Sequence, residues 1–136
     1  RFYPALERVL KPGGLFAAWG YGLMRILPEV DAIVTRYRMD VVGPYWPPER
    51  RHIENGYQSL PFPFKELAAP EFEMTATWAL EDLYGYLDTW SATRRYLKAR
   101  GEHPLLPLRP ALAEAWGGVP ARQVAWPLFL RLGRCA

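Results

Sequence analysis

The sequence contains few residues of the kinds that form disulfides and metal sites. Among its 136 residues are one cysteine, Cys135, and two histidines, His52 and His103. A single cysteine cannot form an internal disulfide, and two distant histidines do not complete a clustered metal site with it. We therefore expect no metal ion and a reducing, cytoplasmic setting for the protein.

The sequence also lacks a long hydrophobic run. The longest apolar stretch, Leu15–Met24, is interrupted by Gly20 and Gly22 and ends at Arg25, whereas a membrane-spanning helix needs about 20 apolar residues. The N-terminus begins directly with amphipathic sequence rather than with a secretory signal. These features predict no membrane partner.

Neither sign of charge dominates the sequence. Lys and Arg total 17 against 14 Asp and Glu, which gives a formal net charge of +3. This excess is far smaller than that of most proteins that bind a phosphate backbone, so nucleic acid is not indicated. The pairs Arg50-Arg51 and Arg94-Arg95 leave a nucleic-acid binder open as an alternative, and its affinity would depend strongly on salt.

Apolar residues, proline and glycine are abundant. Half of the residues are hydrophobic, which is enough for one domain with its own core. The 14 prolines and 11 glycines predict short elements joined by ordered loops. Residues 44–70 are rich in proline and aromatic residues, so we interpret them as an ordered excursion or lid with one helical turn near Pro48–Ser59.

Apolar residues recur at helical spacing in four segments. In the first, Phe2, Leu6 and Val9 form a stripe that we expect to press on a core, and the Pro-Gly-Gly sequence after Lys11 ends it. Pro28 is expected in the first turn of the second helix. The four predicted helices run from residue 1 or earlier to about residue 10, from about Leu23 to Val41, from Leu80 to Arg100 and from Leu108 to Trp116.

Three further segments are predicted to be strands. Leu15–Trp19 is apolar on both faces, Phe72–Trp78 alternates so that one face is buried, and Gln123–Leu132 is again apolar on both faces. Pro127 in the last strand demands an edge position or a bulge, because proline cannot donate to the ladder. The order predicts an α/β fold whose three strands belong to a larger sheet.

The segment Arg8–Leu15, with the sequence RVLKPGGL, resembles the entry into the fifth strand of class I S-adenosylmethionine-dependent methyltransferases. Four later segments resemble the subgroup that includes trans-aconitate methyltransferase. They are Tyr45–Arg51 (YWPPERR), Leu60–Phe64 (LPFPF), Gly85–Ala92 (GYLDTWSA) and Trp126–Leu128 (WPL).

This resemblance implies a Rossmann-like sheet of seven strands, of which the chain supplies the last three. Residues 15–19 would be the fifth strand, residues 72–78 the sixth and residues 124–132 the antiparallel seventh, with Pro127 at a bulge in an interior strand. The family's Gly-rich turn and ribose-binding acid do not occur here, since Gly20 and Gly22 follow the wrong strand. We therefore expect residues 1–136 to be the C-terminal part of a methyltransferase domain whose N-terminal cofactor-binding half is absent.

The activity that the resemblance implies is methyl transfer from S-adenosylmethionine to a small molecule bearing a carboxylate. The cofactor is expected for the complete domain, and no dedicated catalytic residue is carried over, because such enzymes mainly position the acceptor and exclude water. The alternative is a non-catalytic fragment or binding module that forms a homo-oligomer through its exposed sheet edge.

Six residues are candidates for substrate binding by their location. Tyr21 follows a strand end and would line the acceptor pocket, while Arg50 and Arg51 would clamp an acidic acceptor beneath a lid. Each candidate also has a purely structural interpretation, as a packing aromatic or a solvated basic turn. The six candidates are Tyr21, Trp46, Arg50, Arg51, Trp90 and Arg94.

Overall fold

The computed structural model describes residues 2–135 and shows an α/β fold with an antiparallel sheet. The helices are α1 Phe2–Val9, α2 Pro28–Arg36, α3 Arg50–Glu54, α4 Leu80–Thr89, α5 Ser91–Arg100 and α6 Arg109–Trp116. The strands are β1 Leu15–Tyr21, β2 Lys65–Leu67, β3 Phe72–Trp78 and β4 Arg122–Arg134. A π turn at Tyr37–Val41 and 3₁₀ turns at Gly43–Tyr45 and Leu106–Leu108 complete the regular structure of the described part.

Strand β4 is the centre of the sheet. It pairs antiparallel with β1, from Leu15 opposite Arg134 to Tyr21 opposite Leu128, and β3 also pairs with it. The short strand β2 pairs antiparallel with its C-terminal end. Sequence periodicity did not predict β2, because three residues are too few to show an alternating pattern.

Of the two positions that the sequence allows for Pro127, an edge or a bulge, the edge is wrong, since β4 has strands on both sides. The carbonyl of Pro127 accepts a 2.9 Å hydrogen bond from the amide of Gly22, and Pro127 has no N–H to return. Tyr21 lies opposite Leu128, and Arg25 lies opposite Ala125. Between these two pairings the chain advances four residues from Tyr21 to Arg25 but only three residues along β4. This extra residue is the register shift of a bulge beside the proline.

The chain divides into two compact units. The first consists of Arg1–Leu23, Glu49–Met74 and Trp126–Ala136, and the second of Met24–Pro48 and Thr75–Ala125. The predicted excursion at residues 44–70 therefore contributes to both units, and it contains a 3₁₀ turn, α3 and β2.

In the first unit, the apolar stripe of α1 is not buried as expected. No described residue of α1 is buried, and one face of β1 is uncovered, with Leu15 52% and Trp19 68% exposed, while Phe16 on its other face is half-buried. The aromatic packing of this unit centres on Phe16, whose ring centroid lies 5.9 Å from Phe62 and 5.2 Å from Phe64. The start of α1 at residue 1 or earlier lies outside the described residues.

The second unit has a continuous apolar core. Helices α2, α4 and α6 contribute fully buried residues at helical spacing, as their sequence pattern predicts. Pro28 occupies the first turn of α2, and Gly117 ends α6 in the left-handed conformation at φ 76°. The core residues of these helices are Val30, Val34, Leu83, Leu87, Leu112 and Trp116.

Three boundary predictions need correction. The helix predicted to begin near Leu23 starts at Pro28 and passes into the π turn at Tyr37. The face of β3 expected to be buried is not, since Phe72 and Met74 are exposed. The helix predicted over Leu80–Arg100 is two helices that meet at Trp90, whose ψ of 131° is extended rather than helical.

Candidate functional site

The first unit contains a cleft of about 520 Å³ that could hold a ligand. It lies between α1, β1 and the segment after α3, and its walls are mostly aromatic. A cavity of this size suits a small organic molecule. The lining residues are Phe2, Tyr3, Phe16, Ala17, Ala18, Trp19, Tyr57, Leu60, Phe62 and Arg131.

Arg131 is the charged residue of the cleft and ties its loop to the sheet. Its Nη1 donates 2.9 Å hydrogen bonds to the carbonyls of Tyr57 and Leu60, and its Nε donates to Glu66 Oε1 at 2.9 Å. The guanidinium also lies 4.2 Å from the ring centroid of Phe62. The hydrogen bond from Arg131 lowers the pKa of the Glu66 carboxyl.

Tyr57 has the left-handed backbone conformation, with φ 64°, which is rare for a bulky residue. Its amide donates to the carbonyl of His52 at 2.7 Å, while its own carbonyl accepts from Arg131. Its ring packs edge-on against Phe129 at 5.1 Å. These contacts hold the strained residue so that its ring forms one wall of the cleft.

Three of the predicted site residues lie in the first unit, outside this cleft. Tyr21 ends β1 and is exposed, opposite Leu128 of β4. Arg50 begins α3 and is half-buried, whereas Arg51 is exposed. Their role in binding an acceptor stays a prediction.

The other three predicted site residues lie in the second unit, where Trp46 and Trp90 belong to one aromatic cluster. Their ring centroids are 5.3 Å apart, and Tyr37 stacks on Trp90 at 6.0 Å. The Nε1 of Trp46 donates to the carbonyl of Arg38 at 3.2 Å, within the π turn. Trp90 is only 7% exposed, so its observed role is to fill the core.

Arg94 lies in the first turn of α5 and is bound to the end of α4. Its Nε donates to the Asp88 carbonyl and its Nη2 to Asp88 Oδ2, both at 2.9 Å. His103 Nε2 lies 2.9 Å from Asp88 Oδ1, while its Nδ1 accepts from the Leu105 amide at 3.4 Å. This places the imidazole proton on Nε2. Arg94 is 60% exposed, so part of its guanidinium faces solvent.

A second, smaller cavity of about 370 Å³ opens beside this network. Tyr84 lines it and donates a hydrogen bond to the carbonyl of Arg109 at 3.0 Å, and burial raises the pKa of this phenol. The charged lining residues pair with neighbouring side chains, as Asp88 does with His103 and Arg109 with Glu81 at 3.6 Å. The cavity therefore has both signs of charge in its lining, and the ion pairs named above leave no single charge that would select a ligand.

Sequence reasoning missed the aromatic cleft. Two signals for it were present: an arginine, Arg131, near the end of an apolar strand, and the cluster of aromatic residues at 57–64. The aromatic residues were interpreted as part of an excursion or lid, and Arg131 was given no role, because which rings share a wall depends on how β4, β1 and the excursion meet.

Residues 2–135 contain no group of three or more histidine, cysteine, aspartate and glutamate side chains placed to hold a metal ion. In the same part of the chain, no helix combines the length and apolar character that a bilayer crossing requires.

The chain is similar to two proteins described as methyltransferases. It is 26% identical over 140 residues to a Dictyostelium discoideum protein named "Putative methyltransferase", a match that covers 98% of this chain and 53% of that protein. It superimposes with a TM-score of 0.90 and 46% identity on the solved structure of a "Putative Type II Methyltransferase" from Anaeromyxobacter dehalogenans, over 98% of this chain and 57% of that one. No protein-family model matches the chain.

The chain thus spans just over half the length of each of these relatives. It is a homologue of proteins named as methyltransferases, and its α/β fold agrees with that of the solved structure. Neither name states an acceptor or a cofactor, and neither mentions trans-aconitate.

Proposed function

We propose that the chain is the acceptor-binding, C-terminal part of a class I S-adenosylmethionine-dependent methyltransferase domain. The complete domain would methylate a small molecule bearing a carboxylate, in the manner of the trans-aconitate subgroup. The observation that carries this proposal is the match to the Anaeromyxobacter structure, which includes nearly all of this chain and little more than half of that one.

The order of the strands supports this assignment. Strand β4 lies between β1 and β3 and runs antiparallel to β1, as the resemblance implies for an interior, antiparallel seventh strand. Within residues 2–135, β1 pairs with β4 alone, so its other side is an edge, and Leu15 and Trp19 on one face of the strand are exposed. A long apolar edge strand without proline or charge needs a cover, and the rest of a larger sheet would provide one.

The aromatic cleft does not by itself fit S-adenosylmethionine. The cofactor carries a ribose diol that needs acceptor groups and an amino-acid end that needs both charges matched. The cleft has no carboxylate among its lining residues, and its one charged group, Arg131, is already bound to Glu66 and two carbonyls. We therefore assign the cofactor to the part of the domain that the relatives have beyond this match.

The basic side chains of the chain support the choice of a carboxylate acceptor. Arg51 is exposed, and Arg94 presents a partly exposed guanidinium whose orientation is set by Asp88. Guanidinium groups form paired hydrogen bonds with carboxylates, which gives both affinity and orientation. Tyr21 of the first unit and, separately, Trp46 of the second unit stay predicted contacts of the acceptor.

The test is a chimera in which the unmatched part of the Anaeromyxobacter protein is joined to this chain. The 46% identity and the TM-score of 0.90 make the junction surfaces comparable. S-adenosylhomocysteine is titrated by calorimetry into the chimera and into the chain alone. We expect saturable micromolar binding by the chimera, no binding by the chain, and transfer of labelled methyl from S-adenosylmethionine to a member of a panel of small carboxylic acids.

Two results would overturn the proposal. Micromolar binding by the chain alone would mean that it holds a cofactor site of its own and is not a part-domain. A folded, monodisperse chimera that binds no S-adenosylhomocysteine would remove the assignment to cofactor-dependent methyl transfer.

The exposed edge of β1 favours a second candidate function, a non-catalytic module that self-associates. Sedimentation of the chain would show a concentration-dependent oligomer under this alternative. A Trp19→Lys variant would dissociate it, because a charge on an edge strand opposes strand addition. Cofactor binding by the chimera separates the two candidates.

A further inference from the structure

We propose that the aromatic cleft of the first unit is a binding site for a flat aromatic small molecule that carries one oxygen acceptor. The inference rests on the contacts of the cleft and goes beyond the proposed methyl transfer. Because Trp19 belongs both to the cleft and to the exposed strand β1, the experiment below separates the two proposals.

The size and lining of the cleft carry the first step. Its volume of about 520 Å³ lies within the ~300–1,000 Å³ range of small-molecule sites. Six of its ten lining residues are aromatic, from α1, β1 and the segment after α3. Rings on several sides favour a ligand with π faces, because stacked and edge-on ring pairs add to the gain from apolar burial.

The charges of the cleft carry the second step. Its lining residues include no carboxylate to serve as an oxygen ligand for a metal ion, and the guanidinium of Arg131, 4.2 Å from the ring centroid of Phe62, disfavours a second cation beside that ring. The charge of Arg131 is balanced by Glu66, with Nε to Oε1 at 2.9 Å and Nη2 to Oε2 at 3.4 Å. A strongly anionic ligand therefore gains little there, and a neutral one is preferred.

The donors of Arg131 define the polar group of the ligand. A guanidinium has five N–H donors, and the contacts to Glu66, Tyr57 and Leu60 use four of them. The side chain is 10% exposed and lines the cleft, so it has one remaining N–H for a hydroxyl or carbonyl oxygen. One such bond would orient an otherwise apolar ligand.

Contacts within the protein hold one wall of the cleft in place. Tyr57 is kept in its left-handed conformation by the hydrogen bonds to His52 and Arg131 and by the packing of its ring on Phe129. A wall that does not have to be ordered on binding costs the complex less conformational entropy. The strain of Tyr57 is thus consistent with a site shaped in advance.

The test uses 2-naphthol as the probe, titrated into the chain by calorimetry. Its few heavy atoms predict a Kd of about 100 µM. Trp19→Ala and Phe2→Ala each remove an exposed ring from the cleft without emptying a core, and each should weaken binding about tenfold. Phe72→Ala is the matched control, because Phe72 is an exposed aromatic residue of the same unit outside the cleft.

A second comparison tests the oxygen acceptor. Naphthalene has the same rings without the hydroxyl, and below its solubility limit it should compete at least fivefold more weakly than 2-naphthol. Equal affinities would overturn the role of Arg131. No saturable binding of 2-naphthol, or equal weakening by Phe72→Ala and Trp19→Ala, would overturn the site itself.

The chimera described above shows whether the rest of the domain, rather than a small molecule, occupies the cleft. If 2-naphthol still binds the chimera, the cleft is a ligand site of the complete domain. If the chimera binds S-adenosylhomocysteine but no longer binds 2-naphthol, the rest of the domain covers the cleft and the proposal is wrong. If 2-naphthol binds and the cofactor does not, the cleft proposal stands and the proposed function fails.

Discussion

The phenol of Tyr37 donates a 2.7 Å hydrogen bond to the buried hydroxyl of Thr93, and Thr93 in turn donates to the carbonyl of Leu87 at 2.8 Å. The carbonyl of Leu87 lies near the end of α4, where the amide of Trp90 donates a 3.3 Å hydrogen bond to it in place of the usual i+4 amide. The side chain of Thr93, in α5, thus donates to a carbonyl at the end of α4, and the phenol of Tyr37, in the π turn, donates to Thr93. Arg94 does the same for the carbonyl of Asp88.

The Tyr37 phenol predicts a loss of stability at alkaline pH. Burial raises its pKa to about 12, against about 10 when unfolded. The folded state therefore keeps a proton that the unfolded chain loses first, so this contribution is complete below pH 10 and is lost as pH rises through about 12. The loss amounts to about 3 kcal/mol across that window. Urea unfolding of the wild type and Tyr37→Phe at pH 9 to 12 would measure it.

Tyr37→Phe is the control for this prediction, because it removes the phenol hydroxyl and keeps the ring. It should cost about 1 kcal/mol at pH 8 through the lost hydrogen bond, and the excess alkaline decline of the wild type should disappear. Parallel pH profiles for the two proteins would contradict the assignment.

Replacing Arg131 should be among the most destabilising substitutions in the first unit. Arg131→Met leaves the carbonyls of Tyr57 and Leu60 without this donor and frees the segment that precedes β2, so we expect a loss of about 3 kcal/mol. Arg134→Gln is the matched control on the same strand, since Arg134 is exposed and donates to the Gly13 carbonyl. Denaturant midpoints of the two variants should differ clearly, and equal midpoints would refute the clamp.

Two glycine-to-alanine substitutions should have opposite signs. A Cβ on Gly20 would lie 2.3 Å from the ring of Phe129, so Gly20→Ala should cost about 1–3 kcal/mol through displacement of that ring. A Cβ on Gly85, within α4, would meet nothing within 4 Å, and Gly85→Ala should stabilise by up to about 1 kcal/mol. Thermal unfolding of both variants measures the contrast. A stabilised Gly20→Ala would mean that the sheet and Phe129 are not so closely packed.

In the chimera, Arg51→Gln should raise the KM for the carboxylate acceptor about tenfold with little change in kcat, if Arg51 binds the acceptor. Arg51 suits this test because it is exposed, so that a loss of folding does not confuse the result. Arg95→Gln is the matched control, an exposed arginine outside the predicted site. Equal KM values for the two variants would exclude Arg51 from acceptor binding.

Much of the local structure was predictable because its causes are local. Pro28 starts α2 and Gly117 ends α6, since proline suits a first helical turn and glycine accepts a positive φ. The alternation at 72–78 predicted β3 with its observed bounds, although the burial of its face was wrong. The methyltransferase resemblance, drawn from short motifs, agrees with the relatives named as methyltransferases.

The break at Trp90 was not predictable from periodicity. Leu83, Leu87 and Trp90 keep helical spacing, so the pattern favours one continuous helix. The structure instead places Trp90 between two helices, with its ring against Tyr37 and Trp46. Where the helix breaks, the side chains of Thr93 and Arg94 donate hydrogen bonds to the carbonyls of Leu87 and Asp88. These bonds lower the free-energy cost of the break.

The sequence by itself determined the alternation of helices and strands, their punctuation by proline and glycine, and the family resemblance, because each depends on neighbouring residues in the chain. The tertiary structure alone decided that Lys65–Leu67 is a strand, that Arg131 is buried beside Glu66 and two carbonyls, and that aromatic residues from distant segments line one cleft. These features arise from pairings across more than sixty residues, as between Glu66 and Arg131. Local propensity does not predict such pairs, since the free energy of their interaction is gained only when the sheet has brought the two partners together.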